Sequence, residues 1–318
     1  MSVIDLINGS KRTAFSFELL PPLKGTGVEK LYRQIDRLLE FDPKYINITT
    51  HHSEFVERTL SSGQVVKQNI RKRPGTVAIA AEIQKKYGIA TVPHIICAGF
   101  SRAETEYALV DLQILGIHDL LVLQGDKGKL EPNFIPENES NQYASDLQRQ
   151  INRYNEGFFD DGSEMAMKPQ IPFTYGVAGY PEKHADAPSM DSDIFYLKEK
   201  VKAGADYIVT QMFFDNQKYF EFVARCRAEG ITVPIIPGIK PIQLMNQLTV
   251  LPRIFGSSIP EPFAAELAKC TTDEEAKQVG IEWCTEQCKE LIASGVPSLH
   301  FYTLMATDSV AQVAKAIY

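Results

Sequence analysis

Glu18 is a carboxylic acid set among Phe17, Leu19, Leu20, Pro21 and Pro22. Apolar neighbours raise a carboxyl pKa by desolvation, so a group placed there can hold a proton near neutral pH and donate it. The competing reading is a surface carboxylate on a strand edge. Asp126 closes the run Gln124-Gly125-Asp126, where Asp is either an ordinary turn residue or an anion aimed at a ligand. His94, directly after Pro93, is either a satisfied core histidine or a ligand-facing group. Thr49 and Gln211 carry little by themselves. Lys198, Lys200 and Lys202 alternate with Glu199 as a solvated face does, unless one ammonium turns inward to a phosphate. His51, His52 and His94 find no further ligand at a recognisable spacing, so no metal is expected. Cys284 and Cys288, beside Trp283 on one helical face, read as packing residues.

The elements that must position these groups follow a repeated pattern. Helix-period segments stop at Gly88, Gly116, Gly204, Gly230 and Gly295, and a β-branched apolar run follows each within a few residues. Glycine just past a helix accepts positive φ and lets the chain turn into a strand. The segments before the glycines carry apolar residues at helical spacing, such as Ala108, Leu109, Leu112 and Leu115, or Tyr219, Phe222, Val223 and Cys226. Ser101-Arg102-Ala103-Glu104 has the form of a capping box.

With the runs that lack a preceding glycine, strands are expected at 14–19, 45–49, 91–97, 119–124, 173–179, 207–214, 233–239 and 299–304. Their continuous apolar character suits parallel strands covered on both faces. Alternation with helices predicts an α/β fold, a single (β/α)8 TIM barrel domain over residues 1–318, with extra helices between strands seven and eight. No G-x-G-x-x-G follows any strand, which argues against an open dinucleotide-binding sheet. Residues 127–142 and 154–169 read as loops.

In this fold, ligands meet the C-terminal strand ends. Those ends carry Glu18, Thr49, His94, Gln124-Gly125-Asp126, Tyr180 to His184, Gln211, Pro237-Gly238 and Tyr302-Thr303. Polar groups repeated along one edge are costly unless a ligand meets them. No inward lysine on a strand is found, as a Schiff-base lyase would require.

Composition bounds the partners. Lys+Arg number 33 against 40 Asp+Glu, a net charge of −7 with no basic block, so no nucleic-acid partner is expected. No apolar run approaches the roughly 20 residues that span a bilayer, and the N-terminal residues carry no export signal. Cys97, Cys226, Cys270, Cys284 and Cys288 form an odd set without paired short spacings, consistent with reduced thiols and a cytoplasmic location.

The motif FSFELLPP, followed in order by VPHIIC, LVLQGD, YASDL, GVAGYPEKH, ADYIVTQMFFD, PIIPGI and HFYTL, is specific. Together these motifs closely resemble methylenetetrahydrofolate reductases of the bacterial, catalytic-domain-only type. The resemblance implies a flavoprotein barrel that binds FAD noncovalently. It implies reduction of the flavin by NAD(P)H and then of 5,10-methylenetetrahydrofolate to 5-methyltetrahydrofolate, in a ping-pong sequence that supplies methyl groups for methionine synthesis. By motif position Glu18 corresponds to the general acid that protonates N10 of the folate's five-membered ring and opens it. Asp126 corresponds to a residue near the flavin pyrimidine edge and the pterin, Gln211 to a pterin-contacting amide, and Gln247 to a further substrate-side position.

For FAD the motifs transfer Thr49, His94, Gln124, Gly125, Asp126, Tyr143, Ala144, Tyr180, His184, Asp193 and Lys200. Among these, Lys200 is the natural diphosphate partner, and the helix opening at Tyr143-Ala144-Ser145 favours anions. Gln124, Glu199 and Ala306 stand where the family commonly has arginine, removing cations. The family often forms homo-oligomers. Inhibition by S-adenosylmethionine, which requires a regulatory domain, is not expected. The alternative reading is a non-catalytic flavin- or folate-binding barrel acting with a partner enzyme.

Overall fold

Helix and strand alternate along the chain as the glycine-punctuated pattern requires. The computed structural model describes residues 1–125, 139–303 and 307–318, without the side chains of 54–56, 67 and 69. The chain opens with α1 (Val3–Asn8), β1 (Ala14–Leu19), α2 (Glu29–Asp36) and β2 (Tyr45–Ile48). A hairpin of β3 (Glu54–Thr59) and β4 (Val65–Ile70) follows, then α3 (Thr76–Tyr87), β5 (Ala90–Ile96), α4 (Arg102–Ile114) and β6 (Asp119–Leu123). Next come α5 (Ala144–Glu156), β7 (Thr174–Gly179), α6 (Met190–Lys202), β8 (Tyr207–Thr210) and α7 (Asn216–Ala228). The chain continues through β9 (Ile235–Ile236), β10 (Gly238–Ile239), α8 (Gln247–Phe255) and α9 (Glu261–Leu267). It ends with α10 (Asp273–Ala293), β11 (Ser298–Tyr302) and α11 (Thr307–Ile317). The capping box at Ser101 is present, with Ser101 Oγ accepting from Glu104 N at 3.1 Å and Glu104 accepting from Ser101 N at 2.8 Å.

Nine strands form one sheet in the order β10-β11-β1-β2-β5-β6-β7-β8-β9. The pairings β1–β11, β10–β11, β5–β6, β7–β8 and β8–β9 are all parallel. The two ends of that order, β9 and β10, are consecutive in the chain with Pro237 between them. Proline has no N–H for a ladder, so one strand position is split in two. Its first half pairs with β8 and its second with β11. The sheet therefore returns onto itself as a (β/α)8 barrel. The segment before β11 holds α8, α9 and α10, the extra helices expected there. No helix among the described residues is long and apolar enough to cross a membrane.

Three local features differ from expectation. The antiparallel hairpin β3–β4 was not anticipated after strand two. Strand six ends at Thr210 rather than 214, because the Gln211 side chain takes the Met212 N–H at 2.9 Å and withdraws it from the ladder. The loop read from 154 begins after α5, which Gly157 ends at a φ of 97°.

Contacts group the chain into two compact units. One comprises Met1–Leu19, Arg33–Asn47 and Thr174–Tyr318, the other Leu20–Tyr32 and Ile48–Phe173. In the first, Phe15 packs on Phe41, Phe301 and Tyr318 with ring centroids 5.5–6.0 Å apart, which marks the helix-facing side of β1 and β11. A further core joins Met212, Phe214, Ile242, Leu251, Phe263 and Leu267. Trp283 stacks on Phe263 at 4.5 Å there and donates to the Phe214 carbonyl at 2.9 Å. Cys284 and Cys288 are buried on the same helix, as packing residues should be. In the second unit, Ile79, Ile83, Leu109, Leu112, Leu147 and Ile151 turn the apolar faces of α3, α4 and α5 inward.

Candidate active site

Parallel register sets the first unit's site. β1 and β11 align from Ala14 with Ser298 to Glu18 with Tyr302, so Ser16, Glu18, His300 and Tyr302 share one face, opposite the phenylalanines. Ser16 Oγ lies 3.2 Å from the Leu299 carbonyl and 3.0 Å from His300 Nδ1. The hydroxyl donates to the carbonyl, so Nδ1–H donates to the hydroxyl and Nε2 is left as a bare acceptor. Nε2 has no partner among the described residues. Burial pushes the imidazole down to about 3, so His300 is neutral at physiological pH.

Glu18 is 7% exposed, and its backbone carbonyl accepts from Thr303 Oγ1 at 2.6 Å. Beside it, Tyr302 reaches over Gly238 and donates to the Thr210 carbonyl at 2.7 Å. A Cβ on Gly238 would sit 2.2 Å from that carbonyl oxygen and 2.5 Å from the Tyr302 ring, so only glycine permits the crossing. Burial, with Glu18, Tyr180 and Tyr45 nearby, holds the Tyr302 phenol well above its usual range. Lys240 is 2% exposed, and burial lowers its ammonium to about 8 against the opposing pull of Glu18. The apolar neighbours of Glu18 in sequence, Phe17 and Leu19, thus point to the other face. Its companions across the strands are a phenol and an ammonium.

Around the end of β7, the same unit assembles four of the expected residues. The Tyr180 and His184 rings meet edge to face at 4.6 Å, and His184 N donates to Asp193 Oδ2 at 2.8 Å. Lys200 lies two helical turns beyond Asp193 on α6 and donates to the Ala178 carbonyl at 3.0 Å. Burial lowers its ammonium to about 8, and Asp193 pulls the other way. Lys198 and Lys202 instead pair with Glu229 and Glu199, so Lys200 is the lysine of the three that turns inward. Gln211 accepts from Met212 N through Oε1. That fixes its NH2 group, which has no acceptor among the described residues, as the end available to a ligand. Gln247 spends its Oε1 locally, accepting from Gln243 N at 2.8 Å at the start of α8.

In the second unit, Thr49 follows β2 with its hydroxyl 3.3 Å from His51 Nε2. Thr50 Oγ1 donates to the carbonyl of His94, which is 4% exposed on β5. Gln124 Nε2 donates to the Gln142 carbonyl at 3.1 Å. Gly125 has a φ of +86°, and a Cβ there would lie 2.9 Å from the Ala98 side chain. Tyr143 N donates to Asp146 Oδ2 at 2.9 Å, so the start of α5, with Ala144 its first residue, already carries a carboxylate. That acid offsets the anion preference expected of this helix end. Asp126 and Ala306 lie outside the described residues.

Over residues 3–318 the chain matches the family described as methylenetetrahydrofolate reductase. The chain belongs to that family. It is 33% identical to methylenetetrahydrofolate reductase 1 of Schizosaccharomyces pombe over 309 residues, 96% of this chain and 46% of that protein. It is 30% identical to the 5,10-methylenetetrahydrofolate reductase of Pectobacterium carotovorum, across 92% of this chain and 86% of the relative. The chain thus spans about half the length of the eukaryotic reductases it matches. Among solved structures, it resembles an uncharacterized protein from Clostridium thermocellum that binds two copies of 5-methyl-5,6,7,8-tetrahydrofolic acid. That likeness has a TM-score of 0.57 at 13% identity, covering 99% of this chain and 98% of the other, and speaks to the fold.

Two residues beside Glu18 in the first unit, Tyr302 and Lys240, are not among the site residues the sequence suggests. Tyr302 was seen only as a strand end. Lys240 lies one residue past the strand expected at 233–239, outside the strand-end groups read there. The signal was present in Gly238-Ile239-Lys240, since residues two apart on a strand share a face.

Proposed function

We propose that this chain is a flavin-dependent reductase that converts 5,10-methylenetetrahydrofolate to 5-methyltetrahydrofolate with electrons from NAD(P)H. The observation that carries the reading is Glu18, a nearly buried carboxyl at the end of the first barrel strand in a member of this family. The folate-binding neighbour from Clostridium thermocellum adds a barrel of the same fold that holds the product's chemical class.

The residues fit FAD. Lys200 brings a buried ammonium to a strand end, where it donates to the Ala178 carbonyl, and a diphosphate there would meet a cation. Asp193 acts on that ammonium, and His184 ties to Asp193 while its ring meets Tyr180. By motif, Thr49, His94, Gln124, Gly125, Asp126, Tyr143 and Ala144 are the further candidates for holding the cofactor. Bound there, a flavin supplies acceptance and donation of a hydride.

The protein's own part is binding, orientation and proton delivery. Gln211 offers two N–H donors to the pterin, and Gln247 lies on the substrate side. Glu18 gives its proton to N10 of the folate's five-membered ring. The C–N bond then opens, leaving an iminium carbon ready for hydride, and two half-reactions share one site.

Purified protein supplied with FAD should be yellow, bleach anaerobically with NADH or NADPH, and recover its colour with methylenetetrahydrofolate. Protein that takes up no flavin would refute the reading. Glu18→Gln should keep pyridine-nucleotide-driven bleaching while folate-driven recovery slows by about 10²- to 10⁴-fold, the usual worth of a general acid. Equal loss of both half-reactions would remove Glu18 from that role.

A further inference from the structure

One charged group at the first unit's strand ends is not used by the proposed reaction. Lys240 follows β10, whose Gly238 and Ile239 pair with His300 and Phe301. The next level of the sheet is that of Tyr302, which pairs with Glu18. Gly238 already faces the Tyr302 ring, and Lys240, two residues on, falls on the same side by alternation. Lys240 is 2% exposed, Glu18 is 7% exposed, and Tyr302 lies between them. Among the described residues the Lys240 ammonium makes no hydrogen bond or ion pair. Burying an ammonium without a partner is costly, and the nearby carboxylate is the charge that offsets that cost.

We propose that Lys240 is a positioning residue for the proton of Glu18: its buried positive charge restrains the carboxyl's proton affinity and so sets the pH range in which Glu18 is a competent acid. This rests on the reading of Glu18 as proton donor. Two opposed effects act on a carboxyl in this setting. Burial favours the protonated form, and a cation close by favours the carboxylate. Removing Lys240 takes away that cation's share and leaves the burial in place.

Among the described residues, the other titratable groups around the lysine are Tyr302 from β11 and Cys284 from α10, with Tyr180 and Tyr45 flanking Tyr302. Tyr302 stays protonated and His300 stays neutral through the working range, so neither competes for the role. The ammonium itself discharges near pH 8, and the restraint on Glu18 lifts with it. The two groups therefore titrate as a couple.

The test is the titration of the Glu18 carboxyl itself, read by infrared difference spectroscopy of the full chain against Glu18→Gln. In Lys240→Met the midpoint should rise by about 1 to 3 pH units, the span an opposite charge at close range commands. Lys240→Arg, which keeps the charge, should leave it within about half a unit. An unmoved midpoint in Lys240→Met, or an equal shift in Lys240→Arg, overturns the proposal. The native chain gives a second reading that needs no variant: the Glu18 carboxyl band must change as the ammonium discharges on the alkaline side, and a band that stays featureless throughout that discharge also overturns it. The pH profile of folate-driven flavin recovery should move with the carboxyl midpoint, while bleaching by pyridine nucleotide keeps its profile. Absence of any folate reaction in the native protein would sink the enzymatic reading and still leave the infrared titration to decide the couple.

Discussion

Gly238→Ala is the sharpest test of how the barrel is closed. The new methyl group would start 2.2 Å from the Thr210 carbonyl oxygen, 2.5 Å from Tyr302 Cε2 and 2.8 Å from the Tyr302 hydroxyl. An ordinary carbon–oxygen contact is about 1 Å longer than the first of these. Thr210 cannot retreat cheaply. Its hydroxyl accepts from Gly238 N at 2.9 Å, and the strand it ends is paired on one side with β7 and on the other with β9. Tyr302 can swing away only by giving up its 2.7 Å bond to the Thr210 carbonyl. Overpacking of this kind costs about 1–3 kcal/mol and a lost hydrogen bond about 1 kcal/mol, so the expected loss is about 2–4 kcal/mol. Urea unfolding followed by far-ultraviolet circular dichroism should show the midpoint falling with an unchanged slope. Gly75→Ala is the control. It sits at the start of α3 at a φ of −68°, with nothing within 4 Å of the added carbon, and should lose no more than about 1 kcal/mol. A Gly238→Ala loss no larger than the control's would refute the claim that strand seven, Thr210 and Tyr302 meet without room for a methyl.

His300 is buried neutral, with its folded value near 3 against an ordinary value of 6.5. The unfolded chain takes up this proton below about pH 6.5 and the folded chain does not, so the stability it protects is whole above 6.5 and erodes as pH falls toward 3. The loss approaches an order of 5 kcal/mol at the acid end. His300→Asn, which keeps a donor for Ser16, should flatten that part of the stability-versus-pH curve in urea titrations. An unchanged slope would mean that His300 is not buried neutral. Lys200→Met should weaken FAD binding about 10- to 100-fold in a fluorescence titration, the worth of one charged hydrogen bond, and unaltered affinity would remove Lys200 from the diphosphate.

The barrel was legible because its signals are local and repeated. Glycines at 88, 116, 204, 230 and 295, each followed by a β-branched run, mark helix ends whatever the tertiary context, and the Ser101 capping box is a four-residue affair. The hairpin at Glu54–Thr59 and Val65–Ile70 escaped because it interrupts that rhythm rather than continuing it. Strand-end reasoning put Glu18, Gln211 and the Tyr180–His184 pair at or just past the ends of their strands, and that is where they lie. It misjudged the surroundings of Glu18. Neighbours in sequence alternate across a strand, so Phe17 and Leu19 describe the face Glu18 does not occupy. Its true companions come from residues 240 and 302, and only the register of three strands brings them level. Lys200 shows the complementary limit: among three lysines in five residues, sequence spacing alone does not say which one the helix rolls toward a strand end.

The split at Pro237 also bears on how the protein behaves in a crowded solution. A sheet that ends in open strands presents unpaired amides and carbonyls on which foreign strands grow, the first step toward fibrils. Here the last strand and the first are two residues each, Ile235–Ile236 and Gly238–Ile239, and they belong to a single stretch of chain. The seam therefore offers no template longer than two residues, and the proline within it could not donate to a newcomer's ladder. Sealing the cylinder at its shortest strand leaves self-association by strand addition nowhere along that seam to begin.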